Sequence, residues 1–292
     1  MHNAYDIVKK MKIAIISSPT SPNTADLIQA AAAFDVEAVS FALKDLAFAT
    51  DSFDQHPFFG YDAYIFRGYN RNYALAQSLA HLLLDRGKIV LDSHLAKDFV
   101  PSKFHEAVVY KLQDIAHIPT YSARNFESLL AAGFPNEYPV VVKDVDSQRG
   151  KGVRLCNDEL ALRADIEAHG HSVIIQKFMD IAYDIRVICI GDKVIGAIKR
   201  ESSGEDFRTN VSLGGTATAL EISPEEKVLA LKAHHSLDHD ISGVDIACGP
   251  DGVPFVIETN ICPEWQGFKA ATGIDVAREI IKYVIERHAH AQ

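Results

Sequence analysis

The sequence predicts a mixed α/β (α+β) fold, and three observations carry that reading. Strand-like and helix-like runs alternate over the first ninety-odd residues, as in an open parallel sheet flanked by helices. Beyond them, apolar runs are joined by tight polar turns, as in antiparallel hairpins. The 292 residues are 48% hydrophobic and 23% charged, a balance that buries a core in one large or two to three small domains.

Each element has its own local reason. Residues 11–16, MKIAII, read as a buried parallel strand. Residues 17–24 form a polar loop with two prolines, and Thr24 is expected to cap a helix over 25–33. A strand follows at 36–41, and the aromatic, irregular stretch 51–60 reads as a loop. Residues 61–66 form a strand leading into Arg67-Gly-Tyr-Asn-Arg71, with helical periodicity over 72–85 and a short strand at 88–91. Arg67 and Arg71 lie just past a strand's C-terminal end, the edge where open α/β sheets bind ligands. A solvated loop arginine is the alternative, and the simpler one for Arg71.

The composition shifts near 95–102. Ser102 then caps a helix through residue 115, with Glu106 in its first turn. An extended piece begins at 118–121, a helix covers 125–132, and a strongly β run at 138–143 ends in Lys143. After a loop at 144–152 the strand resumes at 153–155. Next come a helix at 158–169, a strand at 172–178, and antiparallel strands at 184–190 and 194–200 about Gly191-Asp192. Residues 202–215 are polar and glycine-bearing, and Ser223 caps a helix over 224–237. Residues 243–260 read as two strands about a Gly-Pro-Asp-Gly turn, and 274–288 form an amphipathic helix.

The net charge of −10 disfavours non-specific binding to nucleic acid or an anionic membrane. The four cysteines form no Cys-x-x-Cys pair, so reduced thiols in a cytoplasm are expected. The first ten residues lack the apolar core and cleavage site of a signal peptide, and no stretch reaches the length of a membrane helix.

Several stretches carry candidate chemistry. Glu258 and Asn260 share a strand face, and hairpin pairing brings Asp245 to them. Two carboxylates and an amide suit a hard divalent cation, although a solvated strand end has the same composition. Lys143, followed by Ser147-Gln148-Arg-Gly150-Lys-Gly152, offers a cation and glycine backbone to phosphate oxygens, but it is no Walker A loop, and glycine hairpins are common. Gln176-Lys177-Phe178 closes an apolar strand where an adenine edge could be read, with Asp184 near a ribose; both are also ordinary strand termini. Arg200, Arg208 and Asn210 gather donors around one loop, suited to a transferring phosphoryl group or to a solvated salt-bridged loop.

Taken in order, these stretches resemble the ATP-grasp superfamily, and within it the RimK-like carboxylate–amine ligases. The resemblance spans roughly residues 100–285 and rests on SKF, VVVKDVDSQRGKGV, VIIQKF, DIRVICIGDKVIGAIKR, DFRTNVSLGGTA, SGVDI, VIETN and TGIDVA. It implies an ATP-grasp fold with an N-terminal Rossmann-like (pre-ATP-grasp) domain at 1–98, a small lid subdomain at 99–178 and a C-terminal subdomain with the metal site at 179–292. It also implies roles. Lys103 and Lys143 contact the ATP phosphates under the loop of Ser147, Gln148, Gly150 and Gly152. Gln176, Lys177 and Phe178 form the adenine hinge, with Asp184 at the ribose. Arg200, Arg208, Thr209 and Asn210 hold the γ-phosphate and an acyl phosphate, and Asp245, Glu258 and Asn260 bind Mg2+ or Mn2+, as a pair of ions.

The implied reaction is ATP-dependent joining of a small-molecule or peptide carboxylate to an amine, in a possible homo-oligomer. A glutathione-synthetase-like or D-alanine–D-alanine-ligase-like enzyme and a non-catalytic ATP-binding regulator are the alternatives. Two departures from the family pattern stand out. Lys177 replaces a customary acidic residue, and Ile261-Cys-Pro-Glu-Trp265 replaces a small residue, proline and glycine. Glu264 and Trp265 are therefore expected to line the acceptor pocket, and Arg67 the donor pocket. Cys262 lacks an evident base for a nucleophilic role.

Overall fold

The computed structural model describes residues 10–52, 55–69, 72–97, 102–144, 152–181, 183–201, 216–249 and 251–291. In its first part, strands β1 (Lys12–Ile16), β2 (Glu37–Phe41), β3 (Ala63–Phe66) and β4 (Ile89–Leu91) pair in parallel in the order β2-β1-β3-β4. The two-residue period sorts their side chains. Ile13, Ile15, Ile65 and Leu91 face one core, while Ala14, Ile16, Tyr64 and Val90 face another with helix α2 (Tyr73–Asp85). Helix α1 (Pro22–Ala33) starts earlier than expected. Ser21 is its N-cap residue and Pro22 fits the first turn, while Thr24 Oγ1 donates to Ser17 Oγ (2.9 Å) and Ser18 O (3.0 Å) instead of capping. Within the expected loop, a 3-10 turn at Pro57–Gly60 buries Phe58 and Phe59.

The second sheet is antiparallel. It contains β5 (Thr120–Ala123), β6 (Val140–Asp144), β7 (Val153–Cys156) and β8 (Val173–Lys177), in the order β5-β8-β6-β7. Helix α3 (Lys103–Leu112) precedes it; α4 (Phe126–Ala131) and α5 (Glu159–His169) cover one face. The side chains of Ser102, Asn125 and Asp158 each accept a backbone N–H in the first turn of these helices. Val140, Val142, Val173 and Ile175 pack under α4 and α5, so alternation turns Val141, Lys143, Ile174 and Gln176 to the opposite face.

The third sheet has β9 (Tyr183–Ile190), β10 (Lys193–Glu201), β11 (Thr216–Leu220), β12 (Ile241–Cys248) and β13 (Pro254–Asn260), in the order β11-β10-β9-β12-β13. The β9–β10 turn has Gly191 at φ 53°. Helix α6 (Pro224–Ser236), opened by a Ser223–Glu226 capping box, covers one face together with Tyr110 of α3. On the other face Ile188, Ile190 and Ile198 meet α7 (Gln266–Thr272) and α8 (Val276–Ala291), and that core continues into Ile13, Ile15 and Ile65. Of the two cores of the first sheet, one is therefore shared with the C-terminal helices, while the buried residues of the other all lie between Ala14 and Leu95. Strand β11 and helix α7 escape a sequence reading: β11 is a largely exposed edge of small residues, and α7 is only two turns long.

Buried histidines join the first and third sheets. His94 and His239 stack edge to face, with ring centroids 4.7 Å apart, and His234 Nδ1 lies 2.8 Å from Ser242 Oγ. Burial pulls His94 down to about 4, with Asp240 opposing; burial, reinforced by His235, pulls His234 down to about 4. Both are neutral in the fold, and an unfolded histidine titrates near 6.5, so the unfolded chain binds more protons between those values. The stability they contribute is complete above pH 6.5 and drains as pH falls toward 4. The loss is about 3 kcal/mol per buried ring as an upper bound. Urea midpoints measured across that range should fall, and His94→Gln should flatten the fall.

Candidate active site

Strand register assembles a charged cluster on the β9–β10–β12–β13 face. Asp184 pairs across strands with Arg200, Asp245 with Arg186 on one side, and Asp245 with Glu258 on the other. Arg186 grips Asp245 with two bonds, Nε to Oδ1 at 2.7 Å and Nη2 to Oδ2 at 2.6 Å. Arg200 bridges the two acids, with Nη2 3.0 Å from Asp245 Oδ2 and Nε 2.5 Å from Asp184 Oδ1. All four formal charges cancel within the cluster. Burial alone would raise Asp245, but Arg186 and Arg200 more than offset it and hold the carboxyl below the usual range. Burial would lower Arg200, and Asp245 and Asp184 hold it above its ordinary value.

Beside this cluster, Asn260 Nδ2 donates to Glu258 Oε1 (3.1 Å) and Asp245 Oδ2 (3.3 Å), so the three residues expected at a metal converge. A register shift makes that possible. Pairing passes from Asp245↔Glu258 to Ile246↔Val256 and leaves Ile257 as the extra residue of a bulge. The bulge breaks the alternation. Val256 and Thr259 turn to the α6 side, where Tyr110 Oη donates to Thr259 Oγ1 at 2.7 Å, while Glu258 faces the cluster. Gly243, opposite Asn260, is also required. A Cβ there would lie 2.9 Å from Pro263 Cβ, so only glycine lets the 261–265 loop approach the sheet this closely.

A cleft runs from Glu258 to the uncovered face of the second sheet, lined by Lys103, Glu106, Lys143 and Gln176. Burial lowers the Lys143 ammonium and nearby Glu258 opposes the shift. Burial pushes Glu106 up to about 8, Glu258 adds to it, and the Thr259 N–H with the two lysines opposes. Gln176 is nearly buried. Its Nε2 donates to Thr120 Oγ1 at 2.8 Å, and its Oε1 has no partner among the described residues. That orphaned oxygen is a buried acceptor on a residue that lines the cleft. For a divalent cation, Glu258 and the Asn260 amide are the hard oxygen donors that fit. Asp245 would have to share oxygens already held by two guanidiniums. Among the described residues no group of three His, Cys, Asp or Glu side chains forms a metal site.

Other expected residues fall elsewhere. Asp184 is not open toward a ribose: it is 4% exposed and tied to Arg200. Lys177 lies on the helix-covered side of β8, by register with Val140, and reaches outward to Glu137 at 3.3 Å. Trp265 is fully buried in the shared core, with Nε1 donating to Asp26 Oδ2 at 3.0 Å. Its size and apolar surface fill the joint between the first sheet and α7. Arg67 donates to Pro263 O at 2.6 Å and lies 4.5 Å over the Trp265 ring, clasping the 261–265 loop. Cys262, within that loop, is partly buried, and burial pushes its thiol up to about 12, the opposite of an activated nucleophile. Glu264 is exposed. Phe178 donates its N–H to Pro139 O at 3.2 Å. Gly152, at φ 70°, closes the β6–β7 hairpin by accepting from Asp144 N at 3.1 Å. Arg71, Ser147, Gln148, Gly150, Arg208, Thr209 and Asn210 lie outside the described residues. Glu106 and Arg186 join the site without having been anticipated. Arg186 had a usable signal, two residues from Asp184 on the same strand face.

Two antiparallel sheets facing across a cleft, with lysines on one wall and an acidic strand end on the other, behind a parallel N-terminal sheet, define an ATP-grasp fold. The chain belongs to the RimK-like ATP-grasp family, whose domain model matches residues 124–284. A ribosomal protein bS6–L-glutamate ligase of Escherichia coli O81 (strain ED1a) is 38% identical over 157 residues, covering 52% of this chain and 51% of that protein. A probable alpha-L-glutamate ligase of Syntrophotalea carbinolica is 37% identical over 155 residues, covering 51% of each. The chain thus spans about half the length of the curated relatives it matches. In fold the likeness is longer. The ATP-grasp ligase PsnB, solved with a minimal precursor, superposes with TM-score 0.75 at 18% identity over 95% of this chain and all of that one. A RimK domain ATP-grasp protein from Sphaerobacter thermophilus gives 0.73 at 22% identity over 94% and 99%.

Proposed function

We propose that the chain is an ATP-dependent ligase that joins a carboxylate to an amine. The observation that carries this reading is the convergence of Lys103, Lys143 and Glu258 on one cleft, with Asn260 beside Glu258. In this reading the nucleotide lies between the second and third sheets. The Gln176 carbonyl accepts from its base, and Lys103 and Lys143 hold its phosphates. Glu258 and Asn260, with Asp245 sharing an oxygen, would hold Mg2+ or Mn2+, as a pair of ions. When bound, such ions neutralise phosphate charge. Arg186 and Arg200 fix the Asp245 carboxylate so that the strand end keeps its geometry.

The chemistry is a double displacement. A substrate carboxylate oxygen attacks the γ-phosphorus, the bond to the β-phosphate oxygen breaks, and ADP leaves with the electron pair. A free amine then attacks the acyl phosphate carbon, phosphate departs, and the amine proton passes to solvent, leaving an amide. Arg208, Thr209 and Asn210 are assigned to the transferring group by family resemblance. The relatives' names point to an amino acid as one substrate and a protein or peptide as the other. ADP release tests the whole reading. It should require a carboxylate and an amine together, and tight Mg-ATP binding with no turnover on any substrate pool would favour the regulator.

A further inference from the structure

At the C-terminal edge of the parallel sheet, three buried polar atoms lack an oxygen or nitrogen partner among the described residues: Arg67 Nη1 after β3, Tyr69 Oη two residues on, with only the weakly bonding Cys262 thiol beside it, and Asp92 Oδ1 after β4. Tyr69 and Asp92 are each 1% exposed. An orphaned buried polar atom is costly, so three together call for something that satisfies them. They form one cluster. Asp92 and Cys262 both feel the Arg67 charge, and Tyr69 feels Asp92 and Cys262. The backbone that aims Asp92 is specialised too. Asp92 sits at φ 66°, in the left-handed region, and its N–H is pinned by Asp240 Oδ2 at 2.8 Å. A non-glycine residue held there stores strain that is commonly found where a side chain must be aimed at a ligand.

The donor set selects the ligand. Arg67 Nη1 and Tyr69 Oη offer hydrogens, and Asp92 Oδ1 accepts one. An α-amino acid is the complement: its carboxylate takes the two donors and its nitrogen serves the acceptor. We propose that Arg67, Tyr69 and Asp92 bind the α-carboxylate and α-nitrogen of the amino-acid substrate. Its nitrogen is then presented beside Cys262, two residues beyond Asn260, which makes it the amine partner where the sequence had suggested a donor pocket. This deepens the ligase reading and rests on it for the role, though not for the binding.

The test is calorimetric titration of the full chain with L-glutamate and L-alanine, each compared with its N-acetyl and methyl-ester forms. It is run with and without Mg2+ and a non-hydrolysable ATP analogue. Both parent amino acids should bind and the blocked forms should not. Tyr69→Phe and Arg67→Lys should each weaken binding about tenfold, the scale of one charged hydrogen bond. Asp92→Asn, which tolerates the left-handed backbone, should remove the preference for the free nitrogen. Urea midpoints check that each variant folds. Equal binding of parent and N-acetyl forms, or no binding of either amino acid under both conditions, overturns the proposal and leaves the three atoms to water. A chain that binds the analogue but no amino acid keeps the ligase reading. One that binds amino acids but not the analogue loses that reading and keeps this site.

Discussion

Glu258→Gln is expected to stop ADP release while the chain stays folded. The side chain is partly exposed, and among the described residues its direct side-chain partner is Asn260, so glutamine keeps the volume and loses little packing. What goes is the strand-end carboxylate that, among the described residues, no guanidinium holds. Electrostatic stabilisation of a transferring phosphoryl group is worth several kcal/mol, so turnover should drop about a thousandfold. The urea midpoint should stay within experimental scatter of the parent's. ADP released at the parental rate would remove Glu258 from the reaction and take the proposed cation site with it.

Asp245→Asn should have the opposite profile, with a large cost to the fold itself. Asp245 is 3% exposed and balances Arg186 and Arg200. Asparagine keeps the shape and discards the charge. Arg200 retains Asp184, whereas Arg186 loses its only ion-pair partner among the described residues. Breaking a buried pair from one side costs roughly 3–5 kcal/mol, because the remaining charge stays desolvated. Urea unfolding should show that loss, and adding Arg186→Met should recover part of it. A change below about 1 kcal/mol would mean that water reaches the cluster and screens it.

Much of this architecture follows from short-range patterns. Two-residue alternation separates the faces of every sheet, and Ser102, Asn125, Asp158 and Ser223 mark helix starts because their side chains satisfy local N–H groups. The convergence of Glu258, Asn260 and Asp245 is legible for the same reason, with the motif order supplying the cleft around it. Other features have no local signature. The bulge at Ile257 depends on two faces with different needs, a core under α6 and a charged cluster opposite. Arg67 and Pro263 meet across 196 residues of chain, so nothing near either one announces the contact. Trp265 reads in sequence as a pocket residue beside polar neighbours, yet its indole fills a joint between elements from opposite ends of the sequence.

That joint bears on how the chain is made. Ribosomes release β1 first and α8 last, yet Ile13, Ile15 and Leu27 are buried against Val276, Ile280 and Val284. While the intervening residues are synthesised, one face of the first sheet is covered by α1 alone. Its β-rich apolar strands are then a substrate for holding chaperones and a hazard for aggregation. Maturation of the N-terminal sheet is thereby tied to completion of the C-terminal helix.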